Sequence, residues 1–173
     1  MQAKTSKLEG VLLFDPVLHR DSRGYFVEVY KTSTFEKYLA RSFVQDNLSM
    51  SSRGVIRGFH YQLDPRAQGK LVQCMTGSIY DVVVDVRQGS PTYGQWEGIS
   101  LSSEGHQMLY VPEGFAHGFQ ALEDNTRVFY KCTSLYSKEH ERGIRFDDPT
   151  LAVKWPLPAE KISPKDLELP FFK

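Results

Sequence analysis

The stretch 57–70 decides how the rest of the chain is interpreted: it begins Arg57-Gly58-Phe59-His60-Tyr61-Gln62 and ends Gly69-Lys70. Polar and aromatic residues alternate at its start as in a β-strand, which predicts Arg57 and His60 on opposite faces. Arg57 can hold an anion through two hydrogen bonds, and Lys70 adds a point charge. His60 can exchange a proton near neutral pH. A histidine in a strand is more often structural than catalytic, so the stretch alone assigns no function.

Composition narrows the classes of protein and of ligand. A chain of 173 residues predicts a single domain, residues 1–173. Apolar residues make up 40% and charged residues 24%, as in ordinary globular proteins. The 21 basic residues balance 21 acidic ones, so no general positive field would attract nucleic acid. Any anionic ligand is expected to be small and held locally.

The cysteines and the apolar runs predict a cytoplasmic location. Cys74 and Cys132 stand in apolar runs without zinc-binding spacing, and we expect both to be buried and reduced. No apolar run approaches the roughly 18 residues that a membrane span needs, so no membrane partner is expected. The first seven residues are polar and lack the apolar segment of a signal peptide.

Short apolar runs separated by turn residues predict an all-β sandwich or barrel. The strongest strand candidates are residues 10–17, 25–30, 43–47, 70–75, 78–86, 95–101, 107–111, 117–122 and 126–133. The turn Glu123-Asp124-Asn125 predicts that the last two strands pair as a hairpin.

Two short helices are expected at the periphery. The run Ser33-Thr34-Phe35-Glu36 has the form of a capping box and predicts a helix of about two turns that ends before Phe43. Further on, Ser163 can cap a short helix with Pro164 in its first turn.

The run Pro112-Glu113-Gly114-Phe115-Ala116-His117 has the form P-x-G-x-x-H. It resembles the second motif of the cupin superfamily, which implies a jelly-roll sandwich. In metal cupins that histidine joins a glutamate and an H-x-H pair from the first motif. This chain has His60-Tyr61-Gln62 there, so the second histidine is missing. We therefore expect no metal site.

A second resemblance covers nearly the whole chain. In order and spacing, many segments resemble the dTDP-4-dehydrorhamnose 3,5-epimerase family of nucleotide-sugar enzymes. They are Asp21-Ser22-Arg23-Gly24-Tyr25-Phe26, Phe43-Val44-Gln45-Asp46-Asn47, the stretch at Arg57, Gln68-Gly69-Lys70-Leu71-Val72, the run at Pro112, Tyr130-Lys131, Glu139-His140-Glu141-Arg142-Gly143-Ile144 and Lys165-Asp166.

The resemblance implies an enzyme that inverts C3 and C5 beside the ketone of a thymidine-diphospho-4-keto-6-deoxyhexose, without a metal or nicotinamide cofactor. It implies that His60 is the general base, that Asp166 orients it and that Tyr130 is the opposing acid. Lys70 and His117 would lie near the sugar.

The resemblance also implies where the rest of the substrate binds. Substrate-binding positions would be Arg23, Phe26, Glu28, Gln45, Asn47, Arg57, Tyr136, Glu141 and Lys165, with Tyr136 stacking on the thymine. The family is dimeric, so we expect a homodimer in which the N-terminal strands of one subunit carry Arg23 and Glu28 into the partner's site.

The chemistry makes these roles reasonable. A proton next to a ketone is weakly acidic, so its removal needs a base on one face and charge relief at the oxygen. Inversion then needs a proton donor on the other face. A histidine opposed to a tyrosine satisfies both demands, and an ammonium such as that of Lys70 can stabilise the enolate.

Other interpretations of the same residues remain open. Asp166 lies three residues after Ser163, where it could serve only as a helix cap. Tyr130 could be a core residue, and Lys70 and Arg23 could be solvated turn charges. Leu135 stands where many members of the family have a second tyrosine, and Leu48 where a histidine is frequent, so the resemblance leaves the nucleotide and the preferred sugar open. The alternatives to a double epimerase are an epimerase of one carbon only, a metal-dependent cupin oxygenase and a non-catalytic nucleotide-sugar binder.

Overall fold

The computed structural model describes residues 1–173, and strands dominate it. The strands are β1 Gln2–Thr5, β2 Leu12–Asp15, β3 Leu18–Asp21, β4 Gly24–Val27, β5 Gln45–Ser51, β6 Ile56–Gln62, β7 Lys70–Thr76, β8 Ser78–Asp85, β9 Trp96–Ser102, β10 Met108–Val111, β11 Phe115–Ala121, β12 Thr126–Cys132 and β13 Glu141–Gly143. The helices are α1 Thr32–Phe35 and α2 Pro164–Leu167.

The strands form two large sheets and one hairpin. One sheet has the order β1-β2-β10-β7-β12-β5, the other has the order β13-β6-β11-β8-β9, and β3 pairs only with β4. Most strands that follow each other in sequence, such as β7 and β8, lie in different sheets, whereas β1–β2, β3–β4 and β8–β9 pair directly. This arrangement confirms the predicted all-β, cupin-type jelly-roll sandwich with a few short peripheral helices.

The main core lies between the two sheets. Val72 and Val128 of the first sheet and Ile79 and Val83 of the second belong to one cluster of 12 buried residues. A further cluster on the other face of β8 includes Val82 and takes in residues of the C-terminal segment. Because β8 is covered on both faces, its two aspartates, Asp81 and Asp85, are buried as well as its apolar residues, and each has a hydrogen-bond partner.

The hairpin predicted from Glu123-Asp124-Asn125 is wrong. β11 pairs with β6 and β8, whereas β12 pairs with β5 and β7 in the other sheet. Residues 123–125 connect β11 of the second sheet to β12 of the first instead of forming a hairpin turn. Leu122 still donates to Ser78 of the second sheet, at 2.9 Å, immediately before the crossing.

The two-turn helix predicted from the capping box is also wrong. α1 is a single turn, its N-cap residue is Lys31, and no side chain caps it. Tertiary packing decides this segment instead, since the ring of Phe35 lies 4.9 Å from that of Phe14 and 5.1 Å from that of Tyr30. Neither helix is long or apolar enough to cross a membrane. Cys74 and Cys132 are buried free thiols, as predicted.

The C-terminal segment is tied to the second sheet. The buried side chain of Gln120 both accepts from the amide of Leu157 and donates to its carbonyl, each at 2.9 Å. Val55 and Lys161 then form a parallel β-bridge. These contacts hold the segment against the start of β6 and so position α2.

Candidate active site

A cavity of about 480 Å³ opens between the sheets and the C-terminal segment. Its lining includes His60, Lys70, His117, Tyr130 and Asp166. A second cavity of about 320 Å³ is also lined by His60, Lys70 and Tyr130. It extends to Gln45, Asn47, Tyr136 and Glu141. The two cavities thus form one continuous candidate site.

His60 and Asp166 lie in contact at the centre of the site. Nε2 of His60 is 2.7 Å from Oδ1 of Asp166, whose side chain is buried. Burial by itself would raise the pKa of Asp166, but the pKa is lowered because the hydrogen bond and charge of His60, together with hydrogen bonds from Gly58 and Ser163, outweigh the burial. The aspartate is therefore ionised and holds one imidazole nitrogen, which leaves the other for proton transfer.

The local sequence explains how Asp166 reaches His60. Ser163 caps α2, as predicted, by accepting a 3.0 Å hydrogen bond from the amide of Asp166, and Pro164 stands in the first turn. Because Ser163 performs the capping, the aspartate side chain is free to turn towards His60. The carboxylate therefore does more than cap the helix.

Strand β6 departs from the alternation predicted for it. His60 lies opposite His117, and Arg57 lies opposite Phe119, so β6 contains one more residue than β11 over this interval. An extra residue in one strand returns side chains three positions apart to the same face. Arg57 and His60 both line the larger cavity, and the prediction that they point to opposite faces is wrong.

The sandwich places His60 and Tyr130 on facing walls. His60 belongs to β6 of the second sheet, while Tyr130 belongs to β12 of the first. Burial raises the pKa of Tyr130, so its hydroxyl stays protonated and able to donate at neutral pH. A ring bound between the two walls would meet an imidazole on one face and a protonated tyrosine hydroxyl on the other.

Lys70 enters the same cavity from β7, beside β12. Its Nζ donates to the backbone carbonyl of His60 at 3.4 Å. Burial lowers the pKa of Lys70, because the charged form loses its solvation. A desolvated ammonium at this point can stabilise negative charge that develops on a bound substrate.

A second histidine–aspartate pair supports the other side of the cavity. Nε2 of His117 lies 3.0 Å from Oδ2 of Asp81, and both residues are buried. The resemblance implied that His117 lies in the site, whereas Asp81 and Asp85 stand in none of the segments that resemble the family. Asp85 is structural in the fold, since it accepts hydrogen bonds from Arg87, Ser90 and Thr92. Asp81 has the additional effect of fixing His117.

A network of polar side chains borders the smaller cavity. The amide of Tyr136 donates to Oε1 of Gln45, and its hydroxyl donates to Oε2 of Glu141, both at 2.9 Å. Lys165 lies 2.6 Å from the same glutamate. Tyr136 is 54% exposed, which leaves an aromatic surface open to a ligand. Arg142, the next residue along the chain from Glu141, donates to backbone carbonyls and takes no part in this network.

Arg57 is a cation without a carboxylate partner. Its Nε donates to Ser51 at 3.0 Å, and Nη2 donates to the carbonyl of Met50 at 3.0 Å. Lys161, which was not predicted from the sequence, lines the same cavity and is in none of the ion pairs of the structure. Two uncompensated cations at one cavity favour an anionic ligand such as a phosphate.

Three predicted substrate-binding residues lie outside both cavities. Arg23 is 87% exposed and pairs with Asp21 at 2.6 Å, and Phe26 is 69% exposed. Glu28 lies 3.9 Å from Lys31. These residues belong to the β3–β4 hairpin or follow it directly. Within one chain, the predicted site therefore divides into a cavity group and a hairpin group.

Sequence reasoning also missed Ser49, Phe119 and Ser163, which line the larger cavity. Ser49 could have been found, since polar residues alternate along β5 at Gln45, Asn47, Ser49 and Ser51. Lys161 had no local signal, because its position depends on the tertiary bridge to Val55. No three histidine, cysteine, aspartate or glutamate side chains meet in a metal-binding cluster.

Comparison with known proteins adds independent information. The family model described as dTDP-4-dehydrorhamnose 3,5-epimerase matches residues 5–173. Among proteins that carry this name, the one from Methanothermobacter thermautotrophicus is 50% identical over 155 residues, covering 89% of this chain and 83% of its own. The one from Shigella flexneri is 46% identical over 169 residues, covering 96% and 93%.

Solved structures agree. The crystal structure of dTDP-4-dehydrorhamnose 3,5-epimerase from Bacillus anthracis, with TDP and PPi bound, is 44% identical and matches with a TM-score of 0.94. The match covers 99% of this chain and 100% of that one.

Proposed function

Because the chain belongs to the dTDP-4-dehydrorhamnose 3,5-epimerase family, we propose that it inverts C3 and C5 of dTDP-4-dehydro-6-deoxy-D-glucose and releases dTDP-4-dehydro-L-rhamnose. One observation carries the chemical part of the proposal. The His60–Asp166 pair stands on one wall of the cavity and Tyr130 stands on the facing wall, with Lys70 in the same cavity.

Each inversion is a removal and a return of a proton. His60 takes the proton from the carbon next to the ketone, and the electrons of the broken C–H bond move to the ketone oxygen as an enolate. The ammonium of Lys70 stabilises that charge. Tyr130 donates a proton to the opposite face of the carbon, and solvent restores both groups. The same cycle then acts at the second carbon.

The remaining residues bind the nucleotide. We assign the diphosphate to the cations at the cavity, Arg57 and Lys165, with Lys161 as an addition to the predicted set. The thymine would stack on the exposed face of Tyr136, with Gln45, Asn47 and Glu141 around it. His117, held by Asp81, would contact the sugar.

A proton NMR time course with dTDP-4-dehydro-6-deoxy-D-glucose in deuterated water tests the proposal. We expect deuterium at both C3 and C5 and the appearance of the L-sugar. Deuterium at one carbon only would indicate a single-position epimerase of a related sugar. A protein that binds the nucleotide sugar without any exchange would be a binder, and the proposal would be wrong.

We further propose that the protein is a homodimer. An isolated two-stranded hairpin is barely stable in water, yet β3–β4 forms its own sheet and exposes Tyr25 and Phe26. Exposed aromatic patches commonly mark interfaces. A second copy would cover the hairpin and receive Arg23, Phe26 and Glu28 at its own cavity, which unites the two groups of predicted residues.

Light scattering is expected to give a dimer, and Arg23→Ala is expected to raise KM about ten-fold with a smaller effect on kcat. The physical reason is the loss of a charge-assisted contact to the diphosphate across the interface. Arg145→Ala is the matched control, because Arg145 also pairs with an aspartate two residues away, Asp147. A monomer, or a KM that stays at the native value in Arg23→Ala, would contradict the dimeric site.

We propose that catalysis needs no metal, since no cluster of three metal-ligating side chains occurs. Activity is expected to be unchanged after exhaustive treatment with a chelator. The measurement is the epimerisation rate before and after chelation, together with metal analysis of the purified protein. About one iron or zinc per chain, with activity following its content, would instead favour the cupin oxygenase.

We also propose that residues 1–173 form one domain, because both large sheets contribute to the same core cluster. A cytoplasmic location is consistent with two buried cysteines that remain free thiols.

A further inference from the structure

One inward-facing side chain of β5 has no partner in the protein. Gln45, Asn47, Ser49 and Ser51 alternate along β5 with residues that are exposed to solvent. Gln45 and Asn47 bond to each other at 3.1 Å, and Ser51 accepts from Arg57 at 3.0 Å. The hydroxyl of Ser49 is shielded from solvent and makes no hydrogen bond. Ser49 is therefore the one inward-facing side chain among these four without a hydrogen bond.

The position of Ser49 connects it to the candidate acid. It lines the larger cavity together with His60, Lys70 and Tyr130. In the pairing of β5 with β12, Asn47 lies opposite Tyr130 and Ser49 lies opposite Val128. Ser49 is thus the diagonal neighbour of Tyr130, a separation of roughly 7–8 Å between the backbones. A sugar ring that contacts the tyrosine would come within reach of the serine.

A shielded hydroxyl without a partner is unfavourable, since it has lost its bonds to water. Because Ser49 lines the larger cavity, rotation of its side chain would turn the hydroxyl towards a ligand oxygen there and restore the missing bond. The phosphates have cationic partners in Arg57 and Lys161, whereas a neutral hydroxyl suits a neutral oxygen of the sugar. No protein group forms a hydrogen bond with the Ser49 hydroxyl.

We propose that the hydroxyl of Ser49 hydrogen-bonds an oxygen of the substrate's sugar ring, either a hydroxyl or the ketone, and so fixes the ring between His60 and Tyr130. This inference rests on the proposed function. It adds a substrate-contact residue that discriminates sugars by the oxygen they present at this point, because a site built to bond an oxygen disfavours an analogue that lacks it.

The test compares Ser49→Ala with Ser51→Ala and Ser100→Ala. For Ser49→Ala we expect kcat/KM for the sugar nucleotide to fall about three- to ten-fold. Its affinity for dTDP, which lacks the sugar, should stay native in calorimetry. Its melting temperature should not fall, since the substitution removes an unsatisfied hydroxyl. Whether the fall in kcat/KM comes from KM or from kcat identifies the sugar oxygen. A higher KM indicates a hydroxyl, and a lower kcat indicates the ketone, whose charge grows in the transition state.

The controls isolate the sugar contact. Ser51→Ala frees Arg57 and should weaken dTDP binding, whereas Ser100→Ala, on an exposed position of β9, should change neither constant. A native kcat/KM in Ser49→Ala would overturn the inference, and so would parallel losses of dTDP affinity or of melting temperature. Activity of the wild-type protein is measured on the same sugar nucleotide, and its absence would instead refute the proposed function.

Discussion

His60→Ala is expected to lower kcat by about 10²–10⁴-fold, the usual contribution of a positioned general base. Solvent deuterium should then enter neither C3 nor C5, because one base begins both inversions. The 2.7 Å contact with Asp166 keeps the imidazole oriented in the native protein, and a water molecule in its place would be a weaker and less well positioned base. The measurement is the rate of deuterium incorporation by proton NMR.

Two controls separate chemistry from folding. dTDP affinity should remain native in His60→Ala, since the nucleotide contacts lie on other residues. His140→Ala serves as the matched control, because His140 is also hydrogen-bonded, to Ser137 at 2.8 Å, but lines neither cavity. Exchange at near the native rate in His60→Ala would rule out this residue as the base.

Most strands of the two large sheets could be predicted from the sequence because their signal is local, whereas the short strands β1, β3 and β13 were not among the predicted ones. Alternating apolar residues and turn residues mark β7 and β8 almost to the residue, with Gly77 between them. The pairing of strands could not be predicted in the same way. A turn such as Glu123-Asp124-Asn125 is compatible with a hairpin or with a crossing to the facing sheet, and the core between the sheets decides.

The site residues likewise divide into those with a local sequence signal and those placed by tertiary structure. That His60 can act as a base follows from its residue type, but its contact with Asp166, 106 positions away, was expected only from the resemblance to the family. Arg57 joins His60 in the cavity because β6 contains one extra residue, which no alternation pattern reveals. The position of Lys161 depends on a tertiary bridge. The alternation of polar residues along β5 could have indicated Ser49 as a site residue, but it was not predicted.

The roles of Tyr130 and Lys70 can be separated by comparing isotope exchange with inversion. Tyr130→Phe keeps the ring and its packing but removes the hydroxyl, which burial keeps protonated by raising its pKa. The enolate can still form over His60 and Lys70, and it regains a proton mostly from the face that lost it. Inversion is therefore expected to fall about 10²–10⁴-fold, while deuterium exchange at C3 persists at a measurable rate.

Lys70→Ala provides the contrast, because it removes charge stabilisation that proton loss and proton return share. Exchange and inversion should then fall together, whereas in Tyr130→Phe they separate. Both rates come from one NMR time course in deuterated water, with the retained and the inverted sugar followed side by side. If Tyr130→Phe inverts both carbons at the native rate, Tyr130 is a core residue and another donor must protonate the enolate. If exchange disappears with inversion in that variant, the tyrosine contributes to enolate formation as well.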